Sequence, residues 1–181
     1  MIKFLIGMLL LIGIHFTSEK PQELQHDSIE KSVIDKLGPE LNLEPYVIKF
    51  DMKPLQTGVY DLVIDMQLHN DAYFVSPNAK RDFSGKFTVH INDAVQLKIL
   101  SGLIETPRSV EEYDEHPFVN GFVNWVRVDT KYNQQIQRTT DDDFQVMGYV
   151  QFTIEPRCSL EKIPFIIKYK EGKMVAELFQ C

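Results

Sequence analysis

With 181 residues, 44% hydrophobic and 25% charged, the chain has the composition of one folded domain with flanking segments, not of a disordered or collagenous protein. A formal net charge of −7 with no basic run excludes the electrostatic footprint of a nucleic-acid binder. The five histidines have no ligand spacing, so neither a metal site nor a cofactor is expected.

The first element is an apolar run, "FLIGMLLLIGI" (4–14), behind a single Lys3. It is too short to cross a hydrocarbon core, which needs about 20 residues. Its length is that of a secretory h-region, so residues 1–18 read as a signal peptide and the remainder as periplasmic or secreted. Thr17 and Ser18 suit cleavage, whereas His15 and Phe16 do not. An uncleaved leader would instead tether the protein to a membrane, and no other membrane contact is expected. Residues 19–45 form a polar lead-in, helical or irregular. Ile29, Val33, Ile34 and Leu37 stand at helical spacing, and Gly38-Pro39 is a stop.

From Tyr46 the hydrophobic period becomes two. In "GVYDLVIDMQLH" (58–69), Leu62, Ile64 and Met66 alternate with Asp61, Val63 and Asp65. Further strands are expected in "YVIKFDMKP", "GKFTVHIN", "VQLKILSGLIE", "FVNWVRVDTKY", "FQVMGYVQFTIEP", "IPFIIKY" and "KMVAELF". Turn residues separate them, and Asp141-Asp142-Asp143 reads as a hairpin tip. About eight strands without crossover helices define an all-β fold, an antiparallel β-sandwich over residues 46–181. Two segments break the rhythm and read as loops, "HNDAYFVSPNAKRDFSG" (69–85) and "ETPRSVEEYDEHPFVNG" (105–121). Loops at a sandwich end are where function usually sits.

The chemistry-bearing motifs are few. There is no Gly-rich phosphate loop, no G-x-S-x-G and no H-E-x-x-H. His116 lies among Glu112, Asp114 and Glu115, which reads as a solvated acidic loop before it reads as a cation site. Two cysteines remain, Cys158 in a turn and Cys181 at the last position. A two-residue turn at Glu171-Gly172 would set Lys162 opposite Cys181, which leaves Cys158 about four residues out of register. A disulfide needs Cα atoms within about 7 Å. Spacing therefore leaves three readings open: a structural staple worth about 3 kcal/mol, a redox couple, or unpaired thiols.

Three blocks, in order, resemble the N-terminal periplasmic domain of the thiol:disulfide interchange protein DsbD, in its Bacteroidetes-type form. They are "DAYFVSP", "SVEEYDEHPFVNGFVNWV" and "FQVMGYVQFTIEPRCSLEKIPFIIKY". The resemblance implies an immunoglobulin-like sandwich, extracytoplasmic thiol–disulfide exchange, and a thioredoxin-fold or DsbD-like partner. By position, Cys158 is similar to the second family cysteine. Asp114 and Glu115 match the acidic pair of the cap loop, Phe118 the aromatic that shields the sulfurs, and Tyr73 an aromatic beside them. The first family cysteine has no counterpart, because Phe152, Thr153 and Ile154 occupy that stretch. Cys181 is then the candidate replacement partner. An independent enzyme is not expected, and the alternative is a non-catalytic binding or structural sandwich.

Overall fold

Alternation with period two produces the long strands, and the computed structural model, which describes residues 44–179, contains twelve of them and no helix in that range. The leader, the lead-in up to residue 43 and Cys181 lie outside the described residues. The strands are β1 (Tyr46–Gln56), β2 (Val59–Leu68), β3 (Phe74–Val75), β4 (Thr88–Ile91), β5 (Leu97–Ile99), β6 (Ile104–Thr106), β7 (Glu111–Asp114), β8 (Gly121–Val126), β9 (Thr130–Arg138), β10 (Phe144–Ile154), β11 (Ser159–Lys170) and β12 (Lys173–Leu178).

They form an antiparallel two-sheet sandwich with a small third sheet. One sheet runs β1-β2-β9-β5, with β6 also pairing β9; the second runs β12-β11-β10-β4; the third is β3-β8-β7. Leu62, Ile64, Met66, Tyr132 and Ile136 of the first sheet face Val150, Phe152, Ile154, Phe165 and Ile167 of the second, all fully buried. Aromatic rings bridge the layers: Phe50 stacks on Phe165 at 4.8 Å, and Phe87 on Tyr132 at 4.2 Å. Truncating one such ring to alanine costs about 3–5 kcal/mol. Gly148 in β10 is required by close approach, since a Cβ there would stand 2.5 Å from Phe165 Cζ and 2.7 Å from the His90 carbonyl oxygen.

The β11–β12 hairpin closes on a two-residue turn, with Lys170 opposite Lys173 and positive φ at Glu171 and Gly172. That is the turn whose twist suits antiparallel strands.

The sequence reading needs four corrections. "VQLKILSGLIE" is not one strand but β5 and β6, divided around Ser101-Gly102. "FVNWVRVDTKY" is likewise two strands, β8 and β9, in different sheets. In the break between them, Asp129 accepts the Leu68 amide at 2.9 Å. β9 then runs on through a polar stretch to Arg138 as the central strand of its sheet; its inward face carries Thr130 and Gln134 beside Tyr132 and Ile136, so its alternation is faint. The Asp141-Asp142-Asp143 stretch is not a hairpin tip. It connects β9 in one sheet to β10 in the other, with Arg138 paired to Asp141 and Asp143 accepting the Glu171 amide. Finally, the two segments expected as loops carry β3 and β7, the edges of the third sheet.

Candidate functional site

β10 and β11 pair without a register break from Phe144↔Tyr169 to Ile154↔Ser159. The hairpin therefore delivers its turn, Glu155 to Cys158, as a rigid projection from the core. Glu155 is pinned from the other side by Tyr73, which gives its amide to the Glu155 carbonyl at 3.1 Å and accepts the Glu155 amide at 2.8 Å. Cys158 is exposed and sits at φ 53, in the left-handed region. Its thiol donates to Glu155 Oε2 at 2.9 Å. That hydrogen bond, and then the negative charge of the carboxylate, push the thiol pKa above its ordinary value. The nearest cation in sequence does not offset this. Arg157 turns to Glu161 at 2.7 Å and Glu44 at 3.5 Å. At neutral pH the site therefore presents a thiol and not a thiolate, and only the thiolate is the nucleophile.

Facing the turn is the cap, built from β7, β8 and the turn between them. Tyr113 stands opposite Phe122 and Asp114 opposite Gly121, so the side chain of Asp114 falls on the same face as Trp125. Trp125 Nε1 donates to Asp114 Oδ2 at 2.9 Å, and the His116 amide donates to Asp114 Oδ1 at 2.8 Å. The His116 bond is the largest influence holding the Asp114 carboxyl below its usual range, with the Trp125 bond adding to it. Trp125 meets Tyr73 edge to face at 4.9 Å, and the Arg127 guanidinium lies 4.3 Å over the Tyr73 ring. The β7–β8 turn closes with Val119 and Asn120 amides on the His116 carbonyl, and Arg81 donates to the Val119 carbonyl at 2.6 Å.

Cap and hairpin turn enclose a cleft of about 540 Å³, a size within the range of ligand-binding clefts. Of the residues singled out from sequence, Tyr73, Asp114, Phe118 and Cys158 all line it. They come from three separate stretches of the chain, and the fold brings these together. Glu115 is exposed on the cap turn and is not among the lining residues. Phe118 does not shield the sulfur: its ring is 91% exposed and rests against His116 at 5.4 Å, so the cap stands open over the thiol. Cys181 lies outside the described residues, where Cys158 is the free cysteine. Phe152 and Ile154, before the turn on β10, are fully buried in the core, and Thr153 between them is half-buried. Among the described residues no group of three or more His, Cys, Asp and Glu side chains could hold a metal ion.

Four lining residues were not singled out from sequence, Val119, Trp125, Glu155 and Pro156, and of these Glu155 and Trp125 make the polar contacts of the site. A carboxylate three residues before a cysteine, with a proline between, was the available signal for Glu155. The single tryptophan of the chain, directly before a core valine, was the signal for Trp125.

No family model matches the chain, and no curated protein matches it. Among solved structures, the N-terminal domain of Neisseria meningitidis DsbD in the reduced form is similar at a TM-score of 0.42 and 7% identity, over 72% of this chain and 90% of that one. So distant a likeness carries no chemistry across, and the cleft is read from its own residues.

Proposed function

We propose that this is an extracytoplasmic β-sandwich whose cleft docks a thioredoxin-fold partner, with Cys158 as a single exchanging thiol in thiol–disulfide handling. The observation that carries the reading is the convergence of an accessible thiol with aromatic and acidic cap residues around one cleft, at the end of a rigid hairpin. The order of the three sequence blocks, with their DsbD-like character in Bacteroidetes-type form, supports the same reading, and the apolar leader supports export.

The exchange step is a displacement at sulfur. The Cys158 thiol gives up its proton to solvent, against the hold of Glu155, and the resulting thiolate attacks one sulfur of the partner's disulfide. A bond forms between Cys158 and that sulfur while the partner's S–S bond breaks. The leaving sulfur departs as a thiolate and takes up a proton from solvent. One disulfide is consumed and one formed, so no external oxidant enters. Resolution requires a further thiol, from the partner or from Cys181. The protein is thus an exchange or docking module and not an independent oxidoreductase.

The test uses a single-cysteine thioredoxin-fold protein activated with thionitrobenzoate. The expected result is a one-to-one disulfide adduct by mass, with release of the yellow thiolate, abolished by Cys158→Ser. Adduct formation no faster than with an unfolded cysteine peptide, together with no measurable docking, would sink the proposal. A second reading, a binding module that does no exchange, is favoured by one observation: Glu155 holds Cys158 protonated. Partner binding that persists without adduct selects it.

A further inference from the structure

Glu105, at the centre of β6, is a buried carboxylate with only 6% of its surface exposed. Among the described residues no lysine or arginine forms an ion pair with it. Three donors converge on it instead. Ser76 Oγ donates to Oε2 at 2.7 Å, Tyr132 OH donates to Oε2 at 3.2 Å, and the Ser109 amide donates to Oε1 at 2.7 Å. The three come from the end of β3, from the central strand β9, and from the connection that leads into β7.

An ionised carboxylate accepts and does not donate, which is what three converging donors require. An amide in its place would set its NH2 group against the Ser109 amide. Turned over, it would leave the Ser76 and Tyr132 hydroxyl protons without this acceptor. Buried hydrogen bonds to a charged acceptor are stronger than neutral ones, and an unsatisfied buried donor is costly.

Within the cap, β8 is anchored by pairing with β3 and by buried Val123 and Val126, whereas β7 is largely exposed and held more lightly. Lys80–Glu111 at 3.0 Å and Arg127–Glu112 at 3.2 Å are exposed surface pairs, a kind that contributes little. At its root the cap has two ties: the Ser109 amide on Glu105, and the Ser109 carbonyl accepting from Asn124 Nδ2 at 3.3 Å. From there the chain leads directly into β7 and to Asp114 and Phe118.

We infer that Glu105 is the positioning residue of the cap: its buried carboxylate fixes the root of β7 against the sandwich and thereby places Asp114 and Phe118 at the cleft. This takes the cleft to be the site, as above. Glu105 touches none of the reacting atoms; it acts through Ser109.

Hydrogen exchange on the full chain, read by peptide, tests this without any partner. In Glu105→Gln, amides of residues 109–121 are expected to exchange roughly tenfold faster or more, while those of β10 and β11 change less than about twofold. Trp125 emission should shift with the cap, and the alkylation rate of Cys158, which lies on the other wall, should not move. Ser109→Pro is the second variant. It removes the amide donor together with the Ser109 hydroxyl and fixes φ at that position, leaves the buried carboxylate its two hydroxyl donors, and should reproduce the cap-limited pattern. Unchanged exchange in the cap in both variants overturns the inference. So does faster exchange spread evenly through β10 and β11, which would make Glu105 an anchor of the whole fold. A loosened cap with unimpaired partner docking would overturn the docking proposal and leave this inference standing.

Discussion

The two walls of the cleft are built on different principles. The β10–β11 wall is long, pairs without interruption, and carries Phe152, Ile154, Phe165 and Ile167 fully buried on one face. The cap wall is made of strands of four and six residues, and it exposes Val110, Tyr113, Phe118 and Phe122. The first wall draws its stability from a long buried face; the second has only the small cluster of Val75, Ala79 and Val123 behind β8, and its outer strand β7 relies on individual polar contacts. A cleft assembled from one long-paired wall and one wall of short strands would hold its thiol fixed while the opposite wall adjusts. Elements that move on binding come from the least stable parts of a fold.

The largest effect should come from breaking the rigid wall. Phe152→Ala removes a fully buried ring that meets Tyr46, Phe74 and Phe87, and should lose about 3–5 kcal/mol in urea unfolding. Phe118→Ala on the cap should stay within about 0.5 kcal/mol while weakening partner binding in a pull-down or titration. Equal losses in the two variants would erase the distinction between the walls.

Next in size is a change in reactivity at the hairpin turn. Glu155→Gln weakens the hydrogen bond that the thiol makes to Glu155 and removes its negative charge, the two influences, in that order, that raise the Cys158 thiol pKa. Because the shift is upward, its removal lowers the pKa and enlarges the thiolate fraction at neutral pH. The midpoint of iodoacetamide alkylation against pH should move down, and the rate at pH 7 should rise several-fold. A midpoint that stays put would mean that Glu155 does not govern the thiol.

A smaller effect belongs to the cap. The Asp114 carboxyl is depressed, chiefly by the His116 amide, so its bond to Trp125 is present above the unfolded pKa and is lost only as pH falls through the lowered folded value. Trp125 is the single tryptophan, so an acid titration of intrinsic fluorescence should show its transition below about pH 3.9, the ordinary aspartate value. A transition at or above that value would remove Asp114 as the cause. The smallest change is Lys80→Ala. It breaks an exposed pair to Glu111 and should shift stability by less than about 1 kcal/mol, seen as a small or absent change in urea midpoint.

Legibility in the sequence follows the same division. β2 could be read because Leu62, Ile64 and Met66 write a period of two in apolar residues. β9 could not be read as a whole strand, because Thr130 and Gln134 share its inward face with Tyr132 and Ile136. The third sheet was hidden because a two-residue strand has no period to detect. Cys158, Asp114, Phe118 and Tyr73 were accessible through residue chemistry and motif order. Glu155 was not, since its carboxylate reaches the sulfur only through the backbone of the turn. The partnership of Asp114 with Trp125 depends on β7–β8 register, which residue types alone do not specify. Glu105 read as the polar end of a strand, and its burial follows from β6 pairing β9 beside Tyr132.

Cys158 occupies left-handed backbone, φ 53, where a side chain costs roughly 1–2 kcal/mol relative to the right-handed region. Glycine would relieve that penalty and asparagine would ease it. On backbone grounds alone those two residues suit the position better than cysteine does, so the turn carries its sulfur at an energetic cost.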